Sequence, residues 1–200
     1  MTRSILNAAK EADLFFMSKS PIHETMRRLT TTLDGMQIPF AIAGAMAANA
    51  HGYHRTTSDV DILIRREDLE RFKAQYIGRG WANKFEGSKN FRDAVTNVNV
   101  DALLVGSYPG DGLPKPVVFA PPESCMYRDE DGVPIITLAT LFELKLASGM
   151  TASHRMQDMA DVMNLIRIQK LPANYREQLN PYVAAKFDEL WHAAQVNEEY

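Results

Sequence analysis

With 200 residues, 46% of them apolar, the chain suffices for one medium domain, or for a compact α/β core with a helical extension. Its 22 basic and 25 acidic side chains give a formal net charge of -3, which excludes a global electrostatic pull toward polyanions and leaves room only for a local basic patch. Cys125 is the single cysteine, so neither an intramolecular disulfide nor a multi-cysteine zinc site can form, and a reducing cytoplasm is the expected compartment.

Lys10, Glu11 and Asp13 interrupt the first apolar residues, so no signal peptide and no export are expected. Ile5, Ala8, Ala9 and Leu14 recur near a 3.6-residue period, and Pro21 opens a second helix through Met26 and Leu29, which predicts a helical preface over 1–34. The longest apolar stretch, 38–50, is shorter than the roughly 20 residues that cross a bilayer and contains Pro39, Gly44 and Asn49, so no membrane span is expected.

Residues 35–136 read as an α/β core. An apolar strand over 40–43 meets Gly44, which ends it before an alanine-rich helix stopping near Gly52. The β-branched run 60–64 predicts a second strand, and 66–76 a polar helix with Leu69, Phe72 and Tyr76 on one face. Strand and turn material around Gly87 fills 81–91, and 98–105 is a strand interrupted by Asp101. The Gly- and Pro-rich stretch 106–134 reads mainly as loop, with an edge strand at 117–120. Residues 137–200 read as a helical region packed on the core: a helix over 138–148 closed by Gly149, another over 154–168, and one or two more. The expected class is α/β (α+β), a small mixed sheet flanked by helices.

Residues two apart on a strand share a face, so Asp59 and Asp61 point one way while Val60, Ile62 and Ile64 point the other. Leu63 shares the acids' face, and two neighbouring anions beside apolar packing repel each other and resist desolvation. A divalent cation relieves this, since Mg²⁺ takes carboxylate oxygens, keeps several waters and fills its shell with substrate phosphates. Asp101 is a lone acid in Val98-Asn99-Val100-Asp101-Ala102-Leu103-Leu104. On a strand about 4.8 Å from the first, it would bring a third carboxylate within reach of two ions about 3.5–4 Å apart. Each signal alone has an ordinary alternative: a capped turn for Asp59-Val60-Asp61, and an arginine-paired buried acid for Asp101.

The run Gly44-Ala45-Met46-Ala47-Ala48-Asn49-Ala50-His51-Gly52-Tyr53-His54-Arg55-Thr56-Thr57-Ser58-Asp59-Val60-Asp61 resembles the signature of the nucleotidyltransferase superfamily with a polymerase-beta-like core. It looks closest to the branch containing the toxins of abortive-infection toxin-antitoxin systems. These pair a His-Gly and an Arg-x-Thr-x-Asp-x-Asp segment with a later lysine helix and an Arg-x-x-Asp-x-x-Asp helix, here Lys145 and Arg155, Asp158, Asp161. The likeness spans about residues 38–168. It implies a nucleotidyltransferase fold, a nucleoside triphosphate as co-substrate and two Mg²⁺ ions. Asp59, Asp61 and Asp101 would be at once metal ligands and catalytic residues, and Gly44, Ala45, Arg55, Thr57, Ser58 and Lys145 would contact the nucleotide. One departure stands out: Gly44-Ala45 replaces the family's Gly-Gly or Gly-Ser turn and lacks a hydroxyl. Free N–H groups at a helix N-terminus still attract phosphate.

Lys145 shares a helical face with Leu138, Leu141 and Phe142, so a buried stem and an ammonium reaching a phosphate are expected, with a snorkelling structural lysine as the alternative. Arg155, Asp158 and Asp161 at i, i+3 and i+6 suit a polar face that holds Lys145 or the loop at Arg55. His51 and His54 lack further ligands for zinc and are expected in packing or loop hydrogen bonds. Met156, Met159 and Met163 read as core or interface.

The expected activity is transfer of a nucleoside monophosphate from a nucleoside triphosphate to an RNA, protein or small-molecule acceptor, with Asp101 as base toward the acceptor. A toxin of this kind would have an antitoxin protein as partner; no membrane partner is expected. The alternative is a catalytically weak nucleotide-binding or protein-interaction module that retains the fold.

Overall fold

The computed structural model describes residues 12, 14, 15 and 18–196. Ile5, Ala8 and Ala9 of the expected preface lie outside the described residues, whereas Leu14 is helical. Pro21 opens α1, Pro21–Gly35, because its fixed φ and missing N–H suit a first turn.

Among the described residues seven strands form one mixed sheet: β1 (Phe40–Ile42), β2 (Asp59–Ile64), β3 (Trp81–Asn83), β4 (Phe91–Asp93), β5 (Asn99–Leu104), β6 (Met126–Arg128) and β7 (Pro134–Ile136). Their order is β3-β4-β5-β2-β1-β7-β6. The β2–β5 and β1–β7 pairs are parallel and the others antiparallel. The helices that follow α1 are α2 (Gly44–Ala50), α3 (Arg66–Tyr76), α4 (Pro122–Cys125), α5 (Leu138–Thr151), α6 (Met156–Ile168) and α7 (Pro181–Gln195). Among the described residues, no helix is long and apolar enough to cross a membrane.

The two sheet faces differ, and the difference places the site. Val60, Ile62, Ile64, Val100, Ala102 and Leu104 are buried on one face. Helices α1 and α3 cover it: Arg28 of α1 meets Asp93 at 2.7 Å, and Phe72 of α3 lies 4.9 Å from Phe91, the register partner of Val100. On the other face Asp59, Asp61, Asn99 and Asp101 stay half-buried. Helices α5, α6 and α7 pack on one another, with Phe142 and Phe187 at 5.8 Å, and α5 also touches α2.

Two expectations are corrected. Residues 117–120 form no strand: Phe119 accepts from Gly106 N and donates to Ser107 O, both at 2.9 Å, while Pro114, Pro116 and Pro121 keep the segment out of a ladder. The stretch 106–134 hides β6 and ends where β7 begins, each strand only three residues long, too short for alternation to register. Gly149 does not close α5, which continues to Thr151. A Cβ at Gly149 would lie 2.8 Å from Met159 Cε, so the glycine lets α6 approach closely instead of capping the helix.

Candidate active site

In the parallel β2–β5 ladder Asp61 pairs with Asp101, and Asp59 with Asn99. Register partners share a face, and so do residues two apart, so all three carboxylates emerge on the open side of the sheet. The adjacent turn is fitted to them. Ala43 N donates to Asp61 O at 2.9 Å, and Gly44 follows at φ +58°, where a Cβ would lie 1.8 Å from Asp61 Oδ2. The first α2 hydrogen bond across the turn runs from Ala47 N to Ala43 O, so the N–H groups of Gly44, Ala45 and Met46 precede the helical ladder.

Burial, then the charges of Asp59 and Asp101, push the Asp61 carboxyl up to about 6, against partial relief from Lys145 and Arg155. The Thr57 hydroxyl donates to Asp59 Oδ1 at 2.8 Å. Asp101 Oδ1 is buried without a hydrogen-bond partner, and Lys84 Nζ stands 4.0 Å from it. A carboxylate oxygen without a hydrogen bond, a carboxylate driven toward its neutral form by burial and like charges, and an all-oxygen donor set fit a hard divalent cation. Among the described residues no three acidic, histidine or cysteine side chains are arranged as a ready-made metal site, so the three carboxylates would have to draw together around an ion.

Behind this row lies a buried ionic network. Asp161, fully buried, accepts from Lys145 Nζ at 2.6 Å, Arg55 Nη2 at 3.0 Å and Gln157 Nε2 at 2.7 Å, and Asp158 takes Lys145 at 3.0 Å. Burial raises the Asp161 carboxyl, but Lys145, Gln157 and Arg55 outweigh it and hold the group below its ordinary value. The expected polar face of α6 thus holds both Lys145 and the Arg55 loop, through Asp158 and Asp161. Arg155 is more distant, 4.0 Å from Asp158.

Gly44, Ala45, Arg55, Thr57, Asp59, Asp61, Asp101 and Lys145 line one cleft of about 630 Å³. Ser58 is exposed and outside that lining. Two groups escaped the sequence reading. Asn49 accepts from Arg55 N at 2.8 Å and donates to Arg55 O and Ala45 O, both at 2.9 Å, which ties the glycine turn to the arginine loop. Lys89 joins the lining from the β3–β4 hairpin. His51 Nε2 bonds Ile136 O at 2.9 Å, in keeping with a loop hydrogen bond. A second concavity, about 670 Å³ and walled by α1, α2 and the β6–β7 turn, includes none of the three acids.

No family model and no curated protein matches the chain. It is similar in shape to a solved structure from Thermotoga maritima provisionally named a nucleotidyltransferase, at TM-score 0.46 and 13% identity, covering 70% of this chain and 91% of that one. It is also similar to the antibiotic-resistance factor ANT(2'')-Ia. The solution structure gives TM-score 0.40, 13% identity and coverage of 86% of this chain and 80% of that one. The crystal structure in complex with adenylyl-2''-tobramycin gives 0.42, 14%, 86% and 94%. Likenesses this distant leave the functional reading to the chain's own residues.

Proposed function

We propose that this protein is a divalent-metal-dependent nucleotidyltransferase that moves a nucleoside monophosphate from a nucleoside triphosphate to an acceptor, with pyrophosphate leaving. The observation that carries this reading is the register of Asp61 with Asp101, with Asp59 on the same face, beneath a glycine turn that admits no side chain. Mg²⁺ held by Asp59, Asp61 and Asp101 would supply charge neutralisation at the transferring phosphoryl group. The N–H groups of Gly44 and Ala45 would meet phosphate oxygens directly, which offsets the absent turn hydroxyl. Asp101 would take the proton of the acceptor hydroxyl as its oxygen bonds to the α-phosphorus and the bond to pyrophosphate breaks. Arg55 and Lys145, anchored on Asp161 and Asp158, would offer N–H donors to the nucleotide from fixed positions. The likeness of residues 44–61 to the abortive-infection branch supports a toxin role with an antitoxin partner.

The competing reading, a nucleotide-binding module without turnover, draws on Ala45 and on the commitment of both cations to aspartates. The test is incubation with each α-labelled nucleoside triphosphate, Mg²⁺, and cellular RNA, protein or small molecules. Label transfer that Asp61→Asn abolishes supports the enzyme; nucleotide binding with no transfer to any fraction supports the module.

A further inference from the structure

We infer that the β3–β4 hairpin is the acceptor-holding edge of the cleft and that the acceptor is a single-stranded nucleic acid, an inference that rests on the transferase reading above. The sheet order puts the Gly44 turn, at β1, on one side of the β2–β5 pair and β4 with β3 on the other. An acceptor that reaches Asp101 from the side away from the nucleotide therefore meets residues 83–92. These carry Lys84, Lys89 and Arg92 against Glu86 alone, a local charge of +2 in a chain of -3.

All three cations are placed to act on the open face. Lys84 Nζ stands 4.0 Å from Asp101 Oδ1, and Lys89 lines the cleft. Arg92 pairs with Asn99, which pairs with Asp59, so it shares the carboxylates' side of the sheet. Between the lysines, Phe85 is 65% exposed. An exposed aromatic ring in a hairpin that also carries cations is a combination that holds single strands, the ring stacking a base while the cations follow the phosphates. A protein acceptor offers no regular row of anions to match them.

The hairpin is also held in a fixed relation to the site. Its roots, Trp81 and Phe91, pack on Phe72 at 5.6 and 4.9 Å, and Lys73 donates to Ser88 O. Asn90 Oδ1 accepts from Ala102 N at 3.0 Å, one residue past Asp101.

The test is fluorescence anisotropy of the full chain with a labelled single-stranded RNA of about 12 nucleotides, within the span such surfaces cover, titrated at several salt concentrations. Lys84→Glu/Lys89→Glu is expected to weaken binding at least about tenfold and to flatten the salt dependence, because two phosphate contacts are lost. Phe85→Ala is expected to weaken binding about tenfold with the salt slope unchanged. Glu86→Lys is expected to tighten binding, a gain that misfolding cannot mimic. Wild-type affinity in both loss variants, or no gain from Glu86→Lys, overturns the proposal. Label transfer onto protein or a polycationic small molecule, with no RNA binding, overturns the hairpin's role and leaves the transferase standing. RNA binding with no transfer to any acceptor overturns the transferase reading and the acceptor role together.

Discussion

Gly44 and Asp61 are so close that a single methyl group on the glycine would fall 1.8 Å from the carboxylate Oδ2. The turn also holds φ at +58°, where side chains are strained. Gly44→Ala should therefore cost about 1–2 kcal/mol in stability and, by displacing Asp61 by an ångström or so, lower transfer about 100-fold. Denaturation and label transfer on the purified variant check both; a variant with wild-type transfer would show that the turn is not fitted to the acid.

The raised Asp61 pKa makes a prediction about pH. Its value moves from 3.8 to about 6, so between those limits the folded chain keeps a proton that the unfolded chain has lost. Without divalent ions, stability should fall as pH rises from about 4 to about 6 and then level off, a loss of up to about 3 kcal/mol from this group. Asp61→Asn should remove that contribution and be the more stable protein at pH 7 in chelator. Urea titrations of both proteins at several pH values are the check, and a difference that does not change with pH would count against the crowded-carboxylate account.

Asp161 is fully buried and accepts from three side chains of the network. Asp161→Ala leaves the half-buried Arg55 without its carboxylate and the buried Lys145 with Asp158 alone, and should destabilise by about 3–5 kcal/mol. Asp158→Ala, which leaves Lys145 its shorter contact to Asp161, should cost clearly less. Equal losses from the two substitutions would mean that Asp161 is not the hub.

Thr57→Val keeps the shape of the loop and removes the 2.8 Å hydrogen bond to Asp59. Transfer should drop about tenfold, the equivalent of one ordinary hydrogen bond in the barrier, with stability changed by no more than about 1 kcal/mol. A stability loss without a loss of transfer would make Thr57 a purely structural residue.

The sequence spoke clearly where a period was long enough to repeat. Helix α3 starts at Arg66 and ends at Tyr76 as the spacing of Leu69 and Phe72 requires, and the apolar run around Asp101 foretold a central strand. The i, i+3, i+6 spacing of Arg155, Asp158 and Asp161 also foretold a polar face for Lys145 and Arg55, although only the two aspartates reach them. Three-residue strands such as β6 and β7 have no repeat to detect. Gly149 shows a different limit, because a glycine that ends a helix and one that admits a neighbouring Met159 look alike in sequence. Asn49 carried no signal because its partners, the backbone of Arg55 and Ala45, are defined only once the loop has folded back.

The most direct measurement is a Mn²⁺ titration followed by electron spin resonance, on the full chain with a non-hydrolysable nucleoside triphosphate analogue. The wild-type chain should bind Mn²⁺ in a nucleotide-dependent manner, and Asp59→Asn, Asp61→Asn and Asp101→Asn should each weaken that binding by tenfold or more, in line with losing a direct ligand. Ion binding that is indifferent to all three substitutions would contradict the account at its centre.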